Sequence, residues 1–163
     1  MAENNYWKFW PSQGEYVKDL NWGCKIAIGY LQKLKQTKNI PRPCVLFDVD
    51  ETLVFGDPEE KLGVREMELG DHNGQPVFIL PPNPQIVKIA KEARRLGMKV
   101  IVITARPSTS KLATITNLDM FGIPYDKVFM NDKDEDPEFK IGLRRRIAEQ
   151  YNLVLIVGDS PCD

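Results

Sequence analysis

Residues 44 to 52 read Cys-Val-Leu-Phe-Asp-Val-Asp-Glu-Thr, an apolar run that ends in two aspartates one residue apart. Alternate residues of a strand point to opposite faces, so Asp48 and Asp50 can project the same way from its end. Two carboxylates held that close repel each other unless a cation or a shared proton intervenes. The stretch therefore predicts a buried strand that ends in a divalent-metal site with a carboxylate available for chemistry.

Further apolar runs alternate with helical patterns along the chain. Lys99 to Ile103 and Leu153 to Val157 are the other clearly buried strands, and Lys127 to Met130 is a shorter one. Strands that are apolar throughout, with helices between them, are typical of a parallel sheet covered on both faces. The predicted fold is α/β: a Rossmann-like three-layer α/β/α arrangement with a mainly parallel sheet.

Four segments have the periodicity of helices that pack one face on a core. Asn83 can cap the second of them, with Pro84 at its first position and Gly97 at its close. The segments are residues 14 to 36, 84 to 96, 108 to 121 and a helix that opens at Asp136 and Pro137. The side chains predicted to point inward from the third helix are Leu112, Ile115, Leu118 and Phe121.

A β-hairpin is predicted between the first strand and the second helix. Its strands would be Val64 to Leu69 and Gln75 to Leu80, around turn residues 70 to 74. About thirty residues separate Thr52 from Asn83, enough for a turn and a small hairpin flap. We therefore expect no large cap domain.

The chain shows no internal repeat and no domain linker. Its 163 residues are enough for one domain with a real core. We divide it into an N-terminal segment at residues 1–39, with an amphipathic helix that packs on the core, and a main domain at residues 40–163.

Composition excludes several functional classes. The 22 basic and 23 acidic residues nearly cancel, so no overall field attracts nucleic acid or an anionic membrane. No apolar run approaches the ~20 residues that span a bilayer, and the first residues lack a signal-peptide pattern. Three cysteines without metal-type spacing indicate free thiols in a reducing compartment. We expect a cytoplasmic protein without a membrane partner.

Polar residues follow the buried strands where such folds bind ligands, outside the carboxyl ends of the strands. Lys140 is predicted in the first turn of the helix that leads to the last strand. The residues that follow the strands are Asp48 and Asp50, then Thr104, Ala105 and Arg106, then Gly158, Asp159, Ser160 and, at the last position, Asp163.

These residues form four motifs in a recognisable order. They are Asp-x-Asp-x-Thr at 48 to 52, a strand-end Thr104, Lys140 and Gly-Asp-x-x-x-Asp at 158 to 163. Over residues 40 to 163 the chain resembles the haloacid dehalogenase-like superfamily of phosphatases. The resemblance implies a phosphoric monoester hydrolase with Mg²⁺ as its cofactor and a phosphorylated substrate as its partner.

The resemblance also implies a role for each acidic residue. Asp48 would attack phosphorus and form an aspartyl-phosphate, and Asp50 would act as general acid and then general base. Mg²⁺ would be held by the carboxylates of Asp48 and Asp159 and by the backbone carbonyl of Asp50. Asp163 would hold a metal-bound water or an outer contact.

For the remaining positions the resemblance implies substrate binding. The Thr104 hydroxyl and nearby backbone N–H groups, such as that of Ala105, would bind phosphoryl oxygens, and Lys140 would offset the negative charge. Arg106 is placed either to touch substrate or to pair with a carboxylate.

Three functional alternatives stay open: two kinds of phosphatase that differ in substrate, and a binding module. A capless site is open, which favours bulky phosphoesters, and residues 84 to 125 are similar to capless acid-phosphatase-like members. Residues 125 to 140 are similar to 3′-phosphatase domains of polynucleotide kinases, although the balanced charge weakens a nucleic-acid substrate. A non-catalytic phosphate-binding module is the third alternative, against which the intact Asp48 and Asp50 argue.

The C-terminal end departs from the family pattern. Related chains usually continue past the fourth motif with a helix and often another strand, so we expect the domain to be truncated after Asp163. Apolar surface would then remain on the sheet edge, where a second chain could cover it. A homo-oligomer is therefore one of the expected assemblies.

Overall fold

The computed structural model describes residues 15–55, 67–72, 75–131 and 139–160. The strands in these ranges are β1 (Pro43–Phe47), β2 (Met67–His72), β3 (Gln75–Ile79), β4 (Lys99–Pro107), β5 (Lys127–Asn131) and β6 (Asn152–Val157). The helices are α1 (Glu15–Thr37), α2 (Pro84–Arg95), α3 (Lys111–Met120) and α4 (Phe139–Gln150), with a 3₁₀ turn at Ser108–Ser110 before α3.

Four strands form a parallel sheet in the order β5-β4-β1-β6. The strand that carries the two aspartates, β1, is central, because its Phe47 pairs with Val102 of β4 on one side and with Val157 of β6 on the other. Strand β6 lies at an edge, where Ile156 keeps 42% of its surface exposed. The predicted α/β fold with a parallel sheet is confirmed.

Helices cover both faces of this sheet. Val45 and Phe47 of β1 point into a core shared with α1, α2 and α3, whereas Cys44 and Leu46 point into a second core shared with α4. The alternation follows from the period of two along a strand, and because both faces are buried the strand is apolar throughout. The three-layer arrangement is therefore as predicted.

Helix α2 begins and ends as the sequence predicts. The buried Asn83 side chain accepts hydrogen bonds from the backbone N–H groups of Gln85 (3.2 Å) and Ile86 (3.4 Å), with Pro84 at the first helical position. Gly97 follows the helix with a φ of +77°, a conformation that glycine adopts without steric cost.

Helix α1 packs against α2 through buried apolar and polar contacts. The Cys24 thiol donates to the carbonyl of Gln85 at 3.0 Å, and Gln32 Nε2 donates to Glu92 Oε1 at 2.7 Å. The hydrogen bonds from Arg95 and then from Gln32 lower the pKa of Glu92 to about 2.

No helix among the described residues, α1 included, is long and apolar enough to cross a bilayer. The division of the chain near residue 39 stays a prediction.

The hairpin differs from its predicted form. Strands β2 and β3 are antiparallel, and the pairs extend to His72 with Gln75, so the turn predicted at residues 70 to 74 was wrong for residues 70 to 72. Asn73 and Gly74, the rest of the predicted turn, lie outside the described residues. Residues 64 to 66, predicted as strand, lie outside the described residues.

Helix α3 turns a partly polar face to the core. Leu112, predicted to point inward, is 46% exposed, and the buried residues of the helix are Thr114, Asn117 and Leu118. The prediction was wrong for Leu112, whereas Leu118 and Phe121 are buried as predicted. Asn117 points inward because its Oδ1 accepts from the backbone N–H of Leu80 at 2.8 Å. A polar side chain can lie in the core when its polar atoms have hydrogen-bond partners there.

Candidate active site

The carboxyl ends of three parallel strands meet at one edge of the sheet. The backbone N–H of Asp48 donates to the carbonyl of Val157 at 3.0 Å, so the end of β1 lies beside the end of β6. Asp159 is two residues beyond that carbonyl. Thr104, fully buried, follows the buried run of β4, which pairs with the other side of β1. The residues singled out after these strands are therefore neighbours.

Lys140 lies against Asp48. Its Nζ atom is 2.8 Å from Asp48 Oδ1, although 92 positions separate the two residues in the sequence. The Asp48 side chain is only 7% exposed, and the lysine is also mostly buried. Lys140 is the second residue of α4, so the start of this helix delivers the ammonium group to the end of β1.

A tight turn follows Asp48 and presents Asp50. The N–H groups of Thr52 (3.3 Å) and Val54 (3.0 Å) both donate to the carbonyl of Val49. Glu51 has a φ of +56°, a left-handed conformation uncommon for a side-chain-bearing residue. Glutamate is not a residue that signals this conformation, so the sequence did not predict it.

The hydroxyl of Thr52 is a buried polar atom with no hydrogen-bond partner among the described residues. It belongs to the same turn, where Thr52 is only 3% exposed. Buried polar atoms normally have a hydrogen-bond partner, so the Thr52 hydroxyl could accept or donate a further hydrogen bond in this turn.

Arg106 pairs with Asp50. Its Nε atom lies 2.9 Å from Asp50 Oδ2 and 3.1 Å from Oδ1, and Nη2 also donates to Oδ1. The third nitrogen, Nη1, donates to the Thr114 hydroxyl at 3.1 Å. Of the two contacts that the sequence left open for Arg106, this structure contains the one with a carboxylate.

Each of the two aspartates thus has its own cation. Lys140 contacts Asp48 and Arg106 contacts Asp50. An opposite charge at hydrogen-bond distance offsets the repulsion between two adjacent acidic side chains. Side-chain cations therefore contact both aspartates, and the divalent-metal site inferred from their spacing stays a prediction.

The oxygen donors at this edge fit a magnesium ion. Asp48 and Asp159 follow adjacent strand ends and carry carboxylates, and the backbone carbonyl of Asp50, in the turn after β1, is a further oxygen donor. No three His, Cys, Asp or Glu side chains in the described ranges are close enough to hold a metal by themselves. Mg²⁺ is usually bound by one or two carboxylates with water and phosphate oxygens, so this donor set suits it. Asp163 lies outside the described residues.

Phosphate-binding groups would come from the end of β4. Thr104 Oγ1 accepts from the backbone N–H of Arg106 at 3.2 Å, which orients the hydroxyl oxygen. Ala105 is exposed between these two residues. The predicted substrate-binding residues Thr104, Ala105, Arg106 and Lys140 are therefore all near the two aspartates.

Thr114 contacts the candidate site through Arg106 and was not predicted from the sequence. It lies on the core face of α3 and is fully buried, and its hydroxyl accepts from Arg106. A polar residue at a core-facing helical position was the available signal, since such a side chain needs a buried partner.

Solved structures share this fold. The class C acid phosphatase from Bacillus anthracis with tungstate bound is 20% identical, with a TM-score of 0.65 over 94% of this chain and 67% of that one. A second structure of the Bacillus anthracis class C acid phosphatase gives a TM-score of 0.61 at 20% identity, over 90% and 64%. A chain of the Pnkp1/Rnl/Hen1 complex gives 0.51 at 24% identity, over 71% and 38%. Identities this low show the fold alone.

Comparison with curated proteins gave no match. A family model described as HAD superfamily, subfamily IIIB (Acid phosphatase) matches residues 4–163, nearly the whole chain. The resemblance inferred from the four motifs is thereby confirmed. The chain belongs to the acid phosphatases of HAD superfamily subfamily IIIB, a family of phosphoric monoester hydrolases.

Proposed function

We propose that this protein is a Mg²⁺-dependent phosphatase that hydrolyses phosphomonoesters through an aspartyl-phosphate on Asp48. The observation that carries the proposal is the buried Asp48 carboxylate, held 2.8 Å from Lys140 Nζ at the end of a central strand, with Asp50 beside it. A nucleophile fixed next to a cation and an acid–base partner is the arrangement that covalent catalysis needs.

Two displacements at phosphorus make up the reaction. A carboxylate oxygen of Asp48 bonds to phosphorus as the bond to the leaving oxygen breaks, and Asp50 gives that oxygen a proton. Water then attacks phosphorus and gives a proton to Asp50, and the bond to Asp48 breaks, releasing phosphate. Asp50 ends each cycle protonated, ready for the next leaving group.

Substrate binding falls to groups around these carboxylates. The Thr104 hydroxyl, the Ala105 backbone N–H and the Lys140 ammonium group would contact phosphoryl oxygens and stabilise the charge that builds up on them. The buried position of Thr104 and the reach of Lys140 into the site support these roles.

The metal ion would be held by Asp48, Asp159 and the Asp50 carbonyl, with Asp163 holding a metal-bound water or an outer contact. When bound, Mg²⁺ neutralises the negative charge shared by phosphate and carboxylates. The adjacent strand ends of Asp48 and Asp159 support this set.

Phosphate release from p-nitrophenyl phosphate tests the proposal. Wild type with Mg²⁺ is expected to turn over and EDTA to stop it, while Asp48→Asn is expected to be inert. Acid-quenching the reaction with radiolabelled substrate should trap label on wild type and none on Asp48→Asn. Asp19→Asn, an exposed change on α1, serves as the charge-matched control. Equal rates for wild type and Asp48→Asn would contradict the mechanism.

Tungstate, present in one related structure, is expected to inhibit competitively as a mimic of phosphate. Saturable binding of phosphate mimics by a wild type without turnover would instead support the non-catalytic module.

The substrate class is best found by screening phosphopeptides, nucleotides and 3′-phosphate oligonucleotides. The balanced charge of the chain favours the first two, because nucleic-acid binding depends on neutralising phosphates. Preference for the oligonucleotides would favour the 3′-phosphatase alternative.

A cytoplasmic location is part of the same proposal. It is supported by the cysteine content, three residues without metal-type spacing, which is typical of a reducing compartment. Cys24 and Cys44 are buried. Burial, with a smaller effect from Asp126, raises the pKa of the Cys44 thiol to about 12, which keeps it unreactive at neutral pH.

A further inference from the structure

The Arg106 guanidinium has all three of its nitrogens engaged by protein groups. Nε and Nη2 form a two-pronged contact with the carboxylate of Asp50, and Nη1 donates to the hydroxyl of Thr114 at 3.1 Å. Two-pronged pairing of arginine with a carboxylate fixes direction as well as distance. Arg106 therefore determines where the oxygens of Asp50 point.

The arginine is itself held at its far side. Thr114 is fully buried in α3, and the Arg106 backbone N–H donates to Thr104 Oγ1 at 3.2 Å. The Arg106 side chain is 16% exposed, whereas that of Asp50 is 42% exposed. The fixed member of the pair is thus the arginine, and the carboxylate that it orients faces solvent, where a leaving group would lie.

The other cation of the site is of a different kind. Lys140 contacts Asp48 through a single ammonium group on a flexible stem, which supplies charge without fixing a plane. A nucleophile needs its charge offset, whereas a proton donor needs a defined direction toward the leaving oxygen. Accordingly, the lysine contacts the proposed nucleophile Asp48, and the arginine contacts the proposed proton donor Asp50.

We infer that Arg106 is a positioning residue that orients Asp50 toward the leaving oxygen, and that Thr114 sets the orientation of Arg106; this inference rests on the proposed function. Arg106 then acts through Asp50 rather than on the phosphoryl group. Its loss should slow the reactions in which the leaving oxygen needs a proton and spare those in which it does not.

Two substrates separate these cases. The alkoxide of glycerol phosphate needs a proton as it leaves, whereas p-nitrophenolate departs readily without one. Arg106→Gln is expected to lower kcat for glycerol phosphate about 10²-fold and that for p-nitrophenyl phosphate less than about tenfold. Thr114→Val, which removes only the hydroxyl, should shift the same ratio in the same direction by a smaller amount.

A double-variant cycle sharpens the test. In an Asp50→Asn background, Arg106→Gln should cost little more on glycerol phosphate, because the two residues act as one unit. Arg145→Gln, an exposed change on α4, is the matched control, and thermal unfolding of each variant checks its fold.

Several results would overturn the inference alone. They are an equal loss on both substrates, an increase in KM without a change in kcat, and additive effects of the Arg106 and Asp50 variants. The first two would mean that Arg106 binds the phosphoryl group. If Arg106→Gln does not fold, an unchanged substrate ratio in Thr114→Val overturns it. If wild type hydrolyses neither substrate, the proposed phosphatase function itself is contradicted. That outcome is distinct from those above, because it is seen in the wild type without any variant.

Discussion

Two acidic side chains lie at the end of one strand, and each contacts a cation from a distant part of the chain. Asp48 meets Lys140 from α4, and Asp50 meets Arg106 from the end of β4. Asp48 is only 7% exposed, so losing its cation would cost more free energy than losing that of Asp50. At the residue scale, the site is therefore most sensitive to Lys140.

Replacing Lys140 with Met should impair both activity and stability. The change removes the ammonium group that lies 2.8 Å from a buried carboxylate while keeping the apolar length of the side chain. We expect kcat for p-nitrophenyl phosphate to fall by about 10²-fold or more and the free energy of unfolding by about 1–3 kcal/mol. Steady-state kinetics and urea denaturation measure the two effects.

Lys91→Met is the matched control, because Lys91 is exposed on α2, away from the site. It should change neither quantity by much, since exposed substitutions usually stay within about 0.5 kcal/mol. Full activity in Lys140→Met would exclude the lysine from phosphate binding.

At the element scale, Asn83 joins helix α2 to the turn that carries Asp50. Its side chain accepts from the backbone N–H groups of Gln85 and Ile86, and its own backbone N–H donates to the carbonyl of Leu53 at 2.8 Å. One residue thus caps the helix and contacts the loop after β1. The sequence alone predicted the first of these contacts, because the cap is local.

Asn83→Ala is expected to lower the free energy of unfolding by about 1 kcal/mol, the usual value of a helix cap. Asn83→Asp keeps an oxygen acceptor at the cap and should retain most of the stability. Chemical denaturation of the two variants and wild type measures the difference. Equal stability of the Ala and Asp variants would show that the cap contributes nothing.

At the scale of the whole molecule, Asp126 ties a helix end to the sheet. It accepts from Lys99 Nζ (2.8 Å), the Val100 backbone N–H (2.9 Å) and Arg94. Burial alone would raise the pKa of Asp126, but the hydrogen bonds from Lys99 and Val100 and the charges of Arg94 and Lys99 outweigh it and lower the pKa. The carboxylate therefore stabilises the fold in its ionised form.

Stability should therefore fall at acid pH. A carboxyl group with a lowered folded pKa contributes above its unfolded pKa of roughly 3.9, and the contribution is lost as pH falls through the folded value. Asp126→Asn should cost about 1 kcal/mol at pH 7, since Lys99 and Arg94 are 51% and 42% exposed and water screens them. The variant and wild type should converge as pH falls below the folded pKa of Asp126, as measured by urea denaturation.

Asp19→Asn, on the exposed face of α1, controls for the change in net charge. A constant difference between Asp126→Asn and wild type at every pH would mean that the carboxylate acts through packing and not through its charge.

The sequence predicted those features that depend on neighbours along the chain. Apolar runs predicted the strands, Asn83 and Gly97 predicted the bounds of α2, and the residues that follow strands predicted which side chains lie at the carboxyl edge of the sheet. Predictions failed where a distant contact decided the outcome. Leu112 is exposed because α3 turns Thr114 and Asn117 inward, where their polar groups find partners in other elements.

The sequence by itself determined the α/β fold, the family and the residues that gather at the carboxyl ends of the strands, because apolar periodicity and motif order are local properties of the chain. Only the tertiary structure decided which cation serves which carboxylate. Arg106 and Asp50 are 56 positions apart and Lys140 and Asp48 are 92, so these pairings exist only once the strands lie side by side.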